Sequence, residues 1–258
     1  MPLRSLDELR DVVEEHLVGL PLTEELGGLE PVLRYALESG GKRVRPVLCL
    51  AVTEAAGGEV ERALPAAAAI ELVHTFSLVH DDLPALDDDD LRRGRPSTHV
   101  VHGEGAALLA GDALLVEAFR YALSYERPET ARELAAATLG MIGGQFRDVT
   151  GDDADLEALD RLKTGRLFAA SVGLGLWAAE VPKDEQTAWR AFGEELGLLF
   201  QVVDDILDSD GFAERFGAGG ARELADRAAD RARTRLASVP ADTSVLGELV
   251  DSLAVRNA

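Results

Sequence analysis

The sequence predicts an all-α protein folded as one large helix bundle. Three observations predict it. Alanine, leucine, glutamate and arginine, all strong helix formers, dominate the 258 residues. Alternating valine-rich runs bounded by turn dipeptides, the mark of strands, are nearly absent. Three windows, 106–123, 167–179 and 196–207, are apolar almost all the way round, and helices of that kind lie inside a large bundle. Aromatic residues make up only 5%, so the core is built from Ala, Leu and Val and its helices can pack closely.

The elements follow in order, each window closed by a breaker. A helix over 5–18 is followed by the Gly27-Gly28 break, one over 29–39 by Gly40-Gly41, and one over 43–56 by Gly57-Gly58. The window 62–82, apolar from Ile70 to Val79, runs into an aspartate-rich stretch between Pro84 and Pro96. Helices over 104–124 and 129–146 flank Pro128, and Gly151 precedes a window at 155–180 that Pro182 closes. The windows 184–208, 221–237 (amphipathic) and a short 244–255 complete the chain. No linker, fixed-period repeat or low-complexity block interrupts them, so residues 1–258 read as a single domain that buries roughly 70–75% of its unfolded surface.

The formal charge of −21 repels phosphate backbones and anionic lipid, which argues against nucleic-acid binding and membrane docking. An anionic substrate would need cations to mediate its contact. No run of about 20 uninterrupted apolar residues offers a membrane span, and the charged start lacks the apolar core of a signal peptide. The single cysteine, Cys49, cannot form an internal disulfide. The expected location is the cytoplasm. Lysine occurs only at 42, 163 and 183 among 26 basic residues, which draws attention to the first two.

Six of the ten residues from Asp81 to Asp90 are aspartate. Carboxylates about 6 Å apart repel by roughly 3 kcal/mol at an effective dielectric of 20, so such a cluster is unfavourable unless solvated or holding cations. A bare aspartate run is usually a solvated loop, but this one emerges from an apolar helix. A second cluster closes another apolar helix. Gln201, Asp204, Asp205 and Asp208 fall within about 100° of one face, opposite Leu and Val. Oxygen-only clusters suit Mg2+, which keeps waters and shares ligands with substrate phosphates. A di-iron bundle needs two Glu-x-x-His motifs, and only Glu71-Leu72-Val73-His74 is present. The loop at Asp208-Ser209-Asp210-Gly211 fails the calcium-loop pattern because Ile206 would occupy its first ligand position.

These motifs resemble those of the trans-type prenyl diphosphate (polyprenyl) synthases, the family of farnesyl and geranylgeranyl diphosphate synthases. Asp81-Asp82-x4-Asp87 with Leu91-Arg92-Arg93-Gly94 is similar to the family's first aspartate-rich motif. Phe200-Gln201-x2-Asp204-Asp205-x2-Asp208 is similar to the second. Gly40-Gly41-Lys42-Arg43-Val44-Arg45-Pro46 resembles the motif that binds isopentenyl diphosphate. Gly111-Asp112, Gly143-Gly144-Gln145-x2-Asp148 and Lys163-Thr164-Gly165 fit in order and spacing, and the resemblance covers about 28–210.

The resemblance implies the isoprenoid synthase bundle with a central active-site cavity, a homodimer, and Mg2+, with three ions when diphosphate is bound. It implies that an allylic diphosphate ionises and that isopentenyl diphosphate attacks the cation. Asp81, Asp87 and Asp204 would ligate metal, with Asp82, Asp205 and Asp208 ligating through water or supporting them. Arg92, Lys163 and Gln201 would hold the allylic diphosphate; Lys42, Arg45, His74 and Arg93 would hold isopentenyl diphosphate. Thr164, beside Lys163, lies where the family's backbone helps stabilise the carbocation. Other roles stay open: Arg92 and Arg93 neutralising adjacent aspartates, His74 as a satisfied core residue, Lys42 and Lys163 as surface residues.

The match departs after Asp208. The family's lid carries two lysines there, whereas 209–220 contains none and the C-terminal region after 210 is short. Arg166 and Arg215 are candidate replacements for the charge. Phe76, five residues before Asp81, stands where the resemblance implies an aromatic residue that blocks the product channel; ordinary core packing is the other role open to it. The expected product is therefore farnesyl diphosphate. Geranylgeranyl or longer products, a terpene cyclase and a non-catalytic partner subunit are the alternatives; cyclases lack the Gly-Gly-Lys-Arg set, and partner subunits commonly lose aspartates.

Overall fold

The computed structural model describes residues 2–38, 40–151, 165–208 and 211–255. Among them it contains eleven α-helices: α1 (Leu6–Val18), α2 (Glu30–Leu37), α3 (Val44–Ala55), α4 (Val60–Asp81), α5 (Thr98–His102), α6 (Glu104–Ala122), α7 (Glu129–Thr150), α8 (Arg166–Ala178), α9 (Thr187–Asp208), α10 (Gly211–Ala237) and α11 (Ser244–Ala254). The all-α class expected from composition is the class observed. Short 3-10 segments at Glu24–Leu29 and Lys183–Glu185 precede α2 and α9.

Helix α4 is the axis of the bundle. It packs on α3, α6 and α8, while α9 packs on α8 and α10. By length and composition alone α4 could cross a membrane, but most of it is buried among the other helices. Pro65 lies inside α4, where its ring disturbs the helical ladder. The Tyr125 hydroxyl inserts there: it accepts from the Ala66 N–H at 3.2 Å and donates to the Arg62 carbonyl at 2.7 Å. A side chain from beyond α6 thus satisfies the groups that the disturbed turn leaves open.

The core is aliphatic, as the low aromatic content requires. Leu48, Leu50, Ile70, Leu72, Leu114 and Leu134 are fully buried with Phe168 and Phe192. Thr53 shows how closely α3 and α8 approach: its hydroxyl lies 2.9 Å from the Cys49 carbonyl and 3.0 Å from that of Gly175.

Two features depart from the sequence expectation. Helical structure in α10 begins at Gly211, ten residues before the expected 221, as a short first segment that a break at Gly217 (φ 71°, ψ 160°) separates from the long amphipathic one. Its glycine-rich start resembles a loop in sequence, yet buried Phe212 and the Asp205 carboxylate anchor it. The aspartate-rich stretch ends in a hairpin, β1 (Leu91–Arg92) against β2 (Arg95–Pro96), too short to leave a strand pattern. Its turn residues Arg93 and Gly94 both have positive φ, as a two-residue type I′ turn requires. The first part of the window 155–180 lies outside the described residues.

Candidate active site

The motif residues meet at the C-terminal ends of α4 and α9 and the N-terminal end of α3. An open cavity of about 350 Å³ lies between these ends. Lys42, Arg45, His74 and Arg93 line it together with Phe200 and Asp204. All four residues expected to hold isopentenyl diphosphate therefore share one cavity, and a carboxylate of the second aspartate cluster faces them across it.

Arg45 is on the first turn of α3 and His74 is on α4. Nη1 of Arg45 donates to Nε2 of His74 at 3.4 Å. A guanidinium has no acceptor, so the imidazole accepts at Nε2 and carries its proton on Nδ1. The Arg45 guanidinium also stacks over Phe168 at 4.6 Å and Phe200 at 5.4 Å. Burial pulls the Arg45 guanidinium down to about 10, against Glu71 and Asp204, which favour its charge. Burial also holds His74 well below the usual imidazole range, and Arg45 and Arg93 reinforce the effect. This side of the cavity, a cationic pole, therefore presents arginine charge beside a neutral imidazole.

The hairpin delivers the arginines of the first motif. Arg93 reaches the Gly40 carbonyl and its guanidinium lies against Gly41, whose φ of 134° favours glycine at that position. Arg92 turns the other way. Its Nε donates to Oδ1 of Asp82 at 2.8 Å and its Nη2 to Asp89 at 3.2 Å. Asp82 is buried and Asp87 exposed. The Asp87 N–H donates to the Asp81 carbonyl at 2.8 Å, and the Asp89 N–H to the Asp82 carbonyl at 3.2 Å, so the loop folds back over the end of α4.

In the second motif, Gln201 Nε2 donates to Oδ1 of Asp205 at 2.6 Å, and the Phe212 N–H donates to Oδ2 of Asp205 at 2.8 Å. Asp205 thus ties the end of α9 to the start of α10, while Asp204 faces the cavity. Asp208 is exposed at the end of α9. Among the described residues no three acidic, histidine or cysteine side chains converge as a preformed metal cage. Lys163 and Thr164 lie outside the described residues. Of the candidate lid replacements, Arg215 rests over the Phe216 ring at 5.7 Å, and the stem of Arg166 lies against Gly140 on α7.

Phe76 is buried one turn before His80, and the two rings meet edge to face at 5.1 Å. His80 Nε2 lies 3.0 Å from the Leu108 carbonyl, and its ring fills the place of a Cβ on Gly111. That close approach gives the Gly111-Asp112 motif a packing role.

Sequence reasoning passed over Arg43 and Glu71. Arg43 is buried and pairs with Glu71 at 2.6 Å and with Glu14 at 2.8 Å. The available signal was positional: Arg43 sits between two motif cations, and Glu71 precedes His74 by three residues on one helix face.

Comparison with known proteins agrees with this geometry. A model of the polyprenyl synthetase family matches residues 28–227. The farnesyl diphosphate synthase of Bacillus subtilis (strain 168) is 40% identical over 204 residues, 73% of this chain and 69% of that protein. The heterodimeric geranylgeranyl pyrophosphate synthase large subunit 1 of Arabidopsis thaliana, a chloroplastic protein, is 44% identical over 225 residues, 80% of this chain and 60% of that one. The chain thus spans between 60% and 69% of the length of these two relatives. An FPP/GFPP synthase from Zymomonas mobilis, solved without ligand, superposes with a TM-score of 0.86 at 30% identity, covering 97% of each chain. With the matched segment containing both aspartate clusters and the cationic pole, the chain belongs to the polyprenyl synthetase family of prenyltransferases.

Proposed function

We propose that the chain, acting as one synthase domain, condenses isopentenyl diphosphate head to tail with allylic diphosphates, and that farnesyl diphosphate is the main product. The observation that carries this reading is the single cavity in which Lys42, Arg45, His74 and Arg93 face Asp204. It offers a direct cationic site for one diphosphate beside carboxylates that suit a metal-bridged second one. The reaction breaks the allylic C–O bond, joins the isopentenyl double bond to the resulting cation and releases a proton. The hard step is separating a multiply charged leaving group from a carbocation, so the site must stabilise diphosphate electrostatically.

The donor set fits Mg2+. Asp81, Asp87 and Asp204 offer hard oxygens, and an ion that keeps waters and shares substrate phosphates does not require a closed protein cage. When bound, Mg2+ would supply charge neutralisation to the departing diphosphate. The chain's own cations, Lys42, Arg45 and Arg93, would hold isopentenyl diphosphate in register. His74, neutral in its buried setting, would donate from its ring N–H or accept from Arg45 without adding charge. Buried Phe76, below the first aspartate cluster, supports the fifteen-carbon product. The single thiol, Cys49, is free and buried, which supports action in the cytoplasm.

A homodimer is part of the proposal. Leu109 and Val116 on α6 and Leu139, Ile142, Phe146 and Val149 on α7 are exposed. The α7 set recurs at intervals of three and four, an apolar stripe suited to a second copy. A monomeric mass by light scattering would remove this part.

The test is incubation of the purified protein with Mg2+, isopentenyl diphosphate and dimethylallyl, geranyl or farnesyl diphosphate, followed by product identification. A fifteen-carbon diphosphate is expected. No condensation with any of the three would overturn the reading in favour of a non-catalytic partner subunit.

A further inference from the structure

We propose that Glu71 and Arg43 are positioning residues for isopentenyl diphosphate, a buried ion pair that sets the backbone between Lys42 and Arg45 so that both cations address one phosphate group. The inference rests on the functional reading above and deepens it.

Arg43 stands between the two motif cations in sequence but is only 5% exposed. Its backbone is left-handed, with φ 47° and ψ 32°, a conformation that residues with a Cβ rarely adopt. Such a residue persists only where its surroundings over-determine it. Here three groups do so. The guanidinium donates to the Leu37 carbonyl at 2.7 Å, to Glu14 at 2.8 Å and to Glu71 at 2.6 Å. The reversal at Arg43 is also where α3 begins, so the direction of Arg45 from the first turn of α3 and that of Lys42 from the preceding loop depend on one anchored residue.

Glu71 would otherwise be out of place. It is 3% exposed beside a cavity built for an anion, where a carboxylate repels the ligand. Its pairing with Arg43 accounts for it. Glu71 also stands one turn before His74 on α4, so the turn that supplies His74 supplies the anchor for Lys42 and Arg45. The same carboxylate favours the charged forms of Arg45 and Arg93, which helps three guanidiniums share one wall before an anion arrives.

The experiment compares Glu71→Gln and Glu14→Gln with the parent by calorimetric titration of isopentenyl diphosphate and by steady-state kinetics. For Glu71→Gln, isopentenyl diphosphate affinity should weaken about tenfold or more and its KM should rise in parallel, the scale set by a small misplacement of binding groups. The allylic KM and kcat should stay within about threefold, because their groups lie on α9 and beyond Asp81. Glu14→Gln, on the half-exposed outer side of the same guanidinium, should raise the isopentenyl KM about two- to threefold. Unchanged isopentenyl binding in folded Glu71→Gln overturns the inference, as does a parallel loss in both KM values and kcat. If Glu71→Gln does not fold, an unchanged isopentenyl KM in Glu14→Gln overturns it instead. A parent that neither binds nor condenses isopentenyl diphosphate overturns the functional reading, and this inference with it.

Discussion

Arg92 closes on Asp82, with Nε 2.8 Å from Oδ1, and so couples the hairpin to the end of α4. Asp82 is 3% exposed, so its charge needs this partner. The second aspartate of the first cluster therefore has a structural task, holding the arginine expected to meet the allylic diphosphate.

Arg92→Ala should lower stability by about 2–3 kcal/mol, because it leaves a buried carboxylate unpaired. Adding Asp82→Asn should recover part of that loss, since the unpaired charge is then gone. Urea denaturation of the single and double variants checks this. A single variant as stable as the parent would show that the pair contributes nothing.

Asp81→Ala or Asp204→Ala should reduce turnover about 10²- to 10⁴-fold while the helical circular dichroism stays intact. Chelation by EDTA should abolish turnover reversibly. Full activity in EDTA would rule out metal bridging.

His74 carries a signed pH dependence. Burial and the neighbouring arginines depress its folded value below the unfolded one. Its contribution to stability is thus complete above about pH 6.5 and is lost as pH falls from there toward the depressed folded value. The parent should lose about 1.4 kcal/mol more than His74→Gln per pH unit within that window. Urea titrations of the two proteins at pH 7.5 and 5.5 measure the difference, and equal losses would show that His74 is not held neutral.

Phe76→Ala should move the main product from fifteen carbons to twenty or more with turnover retained. The removed ring is buried and rests edge-on against His80, five residues before Asp81 on the same helix. An unchanged product in a folded, active variant would dismiss Phe76 as the floor of the channel.

Residue order alone was enough for the helical class and for naming Lys42, Arg45, His74, Arg93 and Asp204, which the fold brings to one cavity. Helix propensity and apolar windows are local properties, so α3, α4, α6 and α9 were legible from residue order. The Asp81–Asp90 run, the Gln201–Asp208 stripe and the Gly40–Pro46 motif were legible for the same reason: each is a short pattern with its chemistry written into it. The tertiary structure alone decided which charge meets which. Arg43 and Glu71 are 28 positions apart, and Arg92 and Asp82 belong to different elements. No periodicity reports such pairs, because the desolvation that makes them necessary exists only after the helices pack. The start of α10 was decided in the same way. Its glycines argue for a loop, and a cap from Asp205 with burial of Phe212 outweighs a local preference worth about 1 kcal/mol per glycine.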